Sequence, residues 1–361
     1  MTADKRRSEY LEWFKARKPA RFNLASSGIE SYPLADLGVS PADIEQNISE
    51  ESLEEAIAAR SQVSPACTVA AYGTSMANYL AMGVLLEPGD EVLIENPGYE
   101  PLVAVARHFG AEVKRFQRRP DDGFRIRPEE VERLVTKRTK LIVITNLHNP
   151  TSVLTDEATL QALGRIARTA GAYVLTDEVY LECLYENART VFHLGEEFVV
   201  TSSLTKAYGL SGLRCGWVLA EAELAKRMRR FKDLLDPAFP HPAALLNVNA
   251  LRQLSRIGSR AKSRLDANRV VLHRFLDSRQ DLEAVRPQFG TSVFPRLKHA
   301  DFERFFTLLR ERYETDVVPG LFFGAPDHFR LGLAADPETF AGGLERMGAA
   351  LDQIQQLWRL M

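Results

Sequence analysis

Between about Val69 and Ala220, short aliphatic and β-branched runs alternate with amphipathic stretches. The runs at 91–95, 112–116, 141–145, 173–176, 198–201 and 216–219 predict strands. Thr155, Asp156 and Glu157 open a helical pattern that runs toward Gly171, and Pro128 with Glu129 and Glu130 opens another. This alternation predicts an α/β fold whose mostly parallel sheet is covered by helices. Three prolines within 236–242 mark a break, and a long charged helical pattern follows over 243–279. The remainder reads as strand 291–297, helix 301–313, strand 329–333 and helix 337–360, a second, smaller α/β unit. The expected organisation is an N-terminal segment 1–40 that joins the small domain, a large domain 41–255 and a small C-terminal domain 256–361. No internal repeat is present.

Composition narrows the function. The chain has 361 residues, 45% of them hydrophobic and 26% charged, which excludes a disordered or fibrous protein. Lys plus Arg is 46 against 48 Asp plus Glu, so no global field attracts nucleic acid or acidic lipid. No apolar run approaches the roughly 20 residues that cross a bilayer, and residues 1–18 lack the apolar core of a signal peptide, so no membrane partner and a cytoplasmic location are expected. The three cysteines, Cys67, Cys183 and Cys215, lie far apart and the histidines are scattered, so no metal site is indicated. Tyr10, Leu11, Trp13 and Phe14 form an apolar stripe that faces either a membrane or, as expected here, the protein itself.

Four segments carry chemistry. Ser203-Leu-Thr-Lys206-Ala-Tyr-Gly209-Leu-Ser-Gly212-Leu-Arg214-Cys-Gly-Trp217 follows a predicted strand. A lysine at a strand end among small residues is desolvated, which favours the neutral amine that attacks a carbonyl to form a Schiff base. Ser203 and Arg214 on either side suit a phosphate, although alone the segment also reads as a surface lysine in a glycine-rich turn. Tyr173-Val-Leu-Thr-Asp177-Glu-Val-Tyr180 ends a strand in an acid and a phenol. Asp177 either points into the crevice where α/β proteins bind ligands or caps the next helix. The run from Leu141 into Asn149-Pro150-Thr-Ser152 presents Asn149 on a turn fixed by proline. Gly73-Thr74-Ser75 precedes a helical pattern, either as a cap or as an anion site on free N–H groups.

In this order the segments resemble the class I/II aminotransferases, the fold-type-I enzymes that depend on pyridoxal 5′-phosphate. The resemblance spans about Val69 to Trp217 and resumes near Phe329. It implies a large cofactor-binding domain with a mostly parallel sheet and a smaller α/β domain. It implies further that Lys206 forms the internal aldimine with the cofactor aldehyde and that Asp177 pairs with the pyridinium nitrogen. Tyr180 and Asn149 would hydrogen-bond the ring's phenolic oxygen, and Tyr99, in Asn96-Pro-Gly-Tyr99, would stack on the ring. The phosphate would lie among Gly73, Thr74, Ser75, Ser203 and Arg214, and Lys206, Asp177 and Tyr180 would be the catalytic residues. Arg330 in Phe329-Arg-Leu-Gly matches the arginine that clamps the substrate carboxylate, and Gly28, after Ser27, matches a substrate-contacting turn.

The implied reaction moves an amino group between an α-amino acid and a 2-oxo acid in a homodimer, with a lyase, decarboxylase or cyclising enzyme of the same fold as the alternative. A cofactor-binding transcription regulator is disfavoured, because only about twenty residues precede the fold, too few for a helix-turn-helix unit. A nicotinamide enzyme is disfavoured because no G-x-G-x-x-G follows the first predicted strand. Two departures from the family stand out. Ser152 replaces the glycine usual after Asn-Pro-Thr, which is expected to be tolerated with φ below zero. The stretch from Gly38 to Cys67 lacks the Tyr-Gly-rich motif whose tyrosine, in relatives, reaches the neighbouring subunit's phosphate.

Overall fold

The computed structural model describes residues 7–45, 50–298 and 301–359. The start of the basic N-terminal stretch, four residues of the Gly38 to Cys67 stretch and the last position of the helix expected over 337–360 lie outside them. A seven-stranded sheet forms the centre, in spatial order Thr68–Tyr72, Cys215–Leu219, Phe198–Ser203, Tyr173–Asp177, Thr139–Thr145, Glu91–Asn96 and Glu112–Gln117. All neighbours pair in parallel except Cys215–Leu219, which is antiparallel to both strands beside it. Alternation along each strand feeds two cores. Ile142 and Ile144 pack into one with Leu93 and Val200, whereas Leu141 and Val143 pack into the other with Val92 and Val199. With both faces covered by helices, the central strands carry continuous apolar runs such as 141–144 and 198–200, with polar residues at their ends.

Helix Glu157–Ala170 shows how local chemistry sets an element. Asp156 Oδ1 accepts from the Thr159 N–H at 2.9 Å, Leu160, Leu163, Gly164 and Ala167 form the buried stripe, and Gly171 ends the helix at φ +66°. The segment 243–279 is not one helix but two, His241–Leu251 and Leu254–Asp277, broken at Arg252 and Gln253. The two halves serve different neighbours: the first packs on helix Glu50–Ser61 and the second on Pro337–Arg359. The run 291–297 likewise divides into Ser292–Val293 and Arg296–Leu297 around Pro295, which has no N–H for a ladder. Strand Thr68–Tyr72, too alanine-rich to stand out by pattern, occupies one sheet edge. The N-terminal segment reaches the C-terminal elements, with Phe22–Asn23 pairing in parallel with Thr315–Asp316 and Leu24 joining their core. Among the described residues no helix is long and apolar enough to cross a membrane.

Candidate active site

The topology gathers the chemical segments on one edge. Tyr99, Asn149, Asp177 and Lys206 lie at or just after the C-terminal ends of parallel strands, the edge where open α/β sheets bind ligands. Arg214 joins them because the strand it precedes runs the other way. Thr68–Tyr72 delivers Gly73, Thr74 and Ser75 to the same edge as the first turn of helix Gly73–Leu85.

Lys206 is partly buried. Desolvation, with the Arg330 and Arg214 guanidiniums, pushes its ammonium down to about 8, against the pull of Asp177. Asp177 is buried, and desolvation raises its carboxyl to about 6. Asn78 Nδ2 donates to its Oδ2 at 2.9 Å and the Val179 N–H to its Oδ1 at 3.1 Å, and both bonds work against that rise. Thr201 Oγ1 donates to Asn78 Oδ1 at 2.6 Å and orients the carboxamide. Asn78 has no counterpart among the residues the sequence singled out. Its one signal is position, since it follows Thr74 at i+4 and so shares its helix face.

The first turn of helix Gly73–Leu85 has no side-chain cap, so its N–H groups and dipole are open to an anion. Gly73 lies at φ +74°, and a Cβ there would stand 2.4 Å from Arg214 Nη2, so glycine makes room for the guanidinium. Arg214 is exposed and donates to Tyr72 O at 3.2 Å. Thr74 Oγ1 donates to Ser203 Oγ at 2.8 Å, and Ser203 and Thr205 share a hydrogen bond of 2.7 Å. Ser75 is exposed on the same turn. An uncapped helix terminus, a guanidinium and a hydroxyl cluster fit a phosphate.

On the other side of Lys206, Tyr180 Oη donates to Ser27 Oγ at 2.7 Å and burial lifts its phenol to about 12. The Ile29 N–H donates to Lys206 O at 3.0 Å, and a Cβ at Gly28 would meet Lys206 Cδ at 3.4 Å, so the Ser27–Gly28 turn lies directly on the lysine. Arg330 is 1% exposed and donates from Nη1 to Asn149 Oδ1 at 3.1 Å. It has no carboxylate partner among the described residues, and its Nε has no hydrogen-bond partner. Tyr99, half-buried, presents its ring edge-on to Tyr10 at 5.6 Å. Ser152 departs from expectation: its φ is +60°, the left-handed region. Its Oγ donates to Ser292 O at 2.8 Å, a buried bond that holds the turn in place.

Residues 44–347 match the family Aminotransferase class I and II. The chain belongs to that family. It is 28% identical over 362 residues to capreomycidine synthase from Streptomyces vinaceus, covering 94% of this chain and 92% of that one. A crystal structure of a PLP-dependent aminotransferase from Streptococcus suis superposes with a TM-score of 0.90 at 27% identity, over 97% and 99% of the two chains. The PLP-dependent cyclase OrfR superposes with a TM-score of 0.86 at 26% identity, over 98% and 100%. As a member of this family the chain is a pyridoxal-phosphate-dependent enzyme.

Proposed function

We propose that this enzyme is an aminotransferase that moves an amino group between an α-amino acid and a 2-oxo acid, working as a homodimer. The observation that carries this reading is the pairing of Lys206, whose ammonium is depressed to about 8, with Arg330, a buried cation that reaches the same sheet edge through Asn149 and has no carboxylate partner among the described residues. When bound, pyridoxal phosphate supplies an aldehyde and an electron-withdrawing ring cation. Thr74, Ser75, Ser203, Arg214 and the N–H groups that begin with Gly73 hold its phosphate. Tyr99 would pack on the ring, Tyr180 and Asn149 would hydrogen-bond its phenolic oxygen, and the Asp177 carboxylate would keep its nitrogen positive. Arg330 takes the substrate α-carboxylate in its planar fork while the Gly28 turn closes over it, which fixes the bond at Cα that reacts. The Lys206 amine, neutral in a useful fraction near pH 7, would take the proton from the substrate Cα and deliver it to the carbon that carried the cofactor's aldehyde. The exposed flank of the phosphate cradle at Arg214 and Ser75 is the surface a second copy would cover.

A second reading has support of its own. Capreomycidine synthase and OrfR each match nearly the whole of this chain, so a cyclising reaction on the same site is the alternative. Incubation of the purified protein with a panel of amino acids separates the two readings. Stoichiometric oxo acid, with the cofactor converted to its amine form and restored by a second oxo acid, is expected. A cyclic or decarboxylated product without oxo acid supports the alternative. Borohydride reduction is expected to fix the cofactor on Lys206, and an adduct on another lysine would overturn the site.

A further inference from the structure

Of the apolar stripe of the N-terminus, Tyr10 is buried and Leu11 and Trp13 are half-buried, whereas Phe14 stays exposed. Helix Glu9–Ala16 is capped by Ser8, whose Oγ also donates to Glu100 on the helix that follows Tyr99. Tyr10 is 6% exposed and packs against Tyr99, Phe322 and Phe323, with ring centroids 5.6 to 6.0 Å away. Its phenol oxygen accepts from Arg330 Nη2 at 3.0 Å.

The donors of Arg330 make that contact consequential. Nη2 donates to Tyr10 Oη and, at 3.2 Å, to Ala25 O, so both its hydrogens are engaged, while Nη1 retains one and Nε its own. A carboxylate held by two parallel bonds needs neighbouring donors on one edge of the fork, and both such edges of a guanidinium include an Nη2 hydrogen. One Nη2 contact must therefore yield. The Ala25 carbonyl belongs to the backbone, whereas Tyr10 is a side chain whose own proton has no acceptor among the described residues.

We infer that Tyr10 is a carboxylate-recognition residue: an incoming α-carboxylate takes the Nη2 hydrogen from the phenol, and the phenol O–H then donates to that carboxylate. This rests on the reading of Arg330 as the carboxylate clamp. The test is inhibition of the holoenzyme half-reaction, with the fastest amino acid of a standard panel, by propionate, which has only the carboxylate, and by propylamine, which has only the amine. Tyr10→Phe keeps the ring packing and removes the hydroxyl. It is expected to weaken propionate inhibition roughly 10-fold, as for loss of a hydrogen bond to a charged group, and to change propylamine inhibition less than about two-fold, with the cofactor absorbance as in the wild type. Arg330→Lys keeps the charge but loses the fork, and is expected to weaken propionate at least as much. Unchanged or tighter propionate inhibition in Tyr10→Phe, with a large loss in Arg330→Lys, would overturn the Tyr10 inference alone. Propionate inhibition unaffected by Arg330→Lys would remove the Arg330 reading itself.

Discussion

At Asp177 desolvation outweighs two hydrogen bonds, and the carboxyl titrates at about 6 rather than near its usual 3.8. The folded state therefore binds this proton more tightly than the unfolded chain does. Stability from this group is fully present below about pH 4 and is lost as pH rises through 6, where the buried charge becomes a cost. In the cofactor-free protein, Asp177→Asn is expected to be more stable than wild type at pH 7 by about 3 kcal/mol, with little advantage at pH 4. Urea unfolding at the two pH values measures this. In the holoenzyme the same variant should keep its cofactor and lose turnover by roughly 100-fold or more, because in the proposed site the ring nitrogen would lose the anion that holds it positive. A variant that turned over near-normally would show that another group holds that proton.

At the scale of elements, the turn after strand Thr139–Thr145 joins the large sheet to the C-terminal part of the chain. Ser152 occupies a left-handed conformation that costs a non-glycine residue about 1 to 2 kcal/mol, against a buried hydrogen bond to Ser292 O worth about 1 kcal/mol. The space for its side chain exists because residue 290 is glycine: a Cβ there would lie 2.4 Å from Ser152 Oγ and 2.5 Å from its Cβ. Gly290 also sits at φ +87°. Gly290→Ala is therefore expected to destabilise by about 2 to 3 kcal/mol, since both overpacking and backbone strain act. Ser152→Gly should stay within about 1 kcal/mol of wild type, because relief of strain offsets the lost bond. Denaturant midpoints of the two variants check the pair, and equal effects would refute the coupling.

At the scale of the whole molecule, the proposed dimer follows from what one chain leaves exposed. Leu234 is 80% and Leu235 47% exposed in the segment that also places Ala238 and Phe239 against Tyr72, beside the phosphate cradle. Sedimentation is expected to show a dimer, and Leu234→Asp with Leu235→Asp to give monomers with weakened cofactor binding; an active wild-type monomer would contradict this. The alternating pattern alone was enough for six of the sheet's strands and for helix Glu157–Ala170, because burial on both faces and capping are written locally, whereas the lysine, aspartate and asparagine segments stood out by their residue chemistry and by the order in which they occur. The alanine-rich strand Thr68–Tyr72 and the break at Arg252 were not legible, since packing partners decide both. Asn78, Tyr10 and the left-handed Ser152 also needed the fold. Their contacts, to Asp177, Arg330 and Ser292, cross 99, 320 and 140 positions of chain, and no local periodicity encodes which distant group a side chain will meet. Sequence thus determined which residues could do chemistry, while strand order, above all the reversed strand Cys215–Leu219, decided that they gather on one edge.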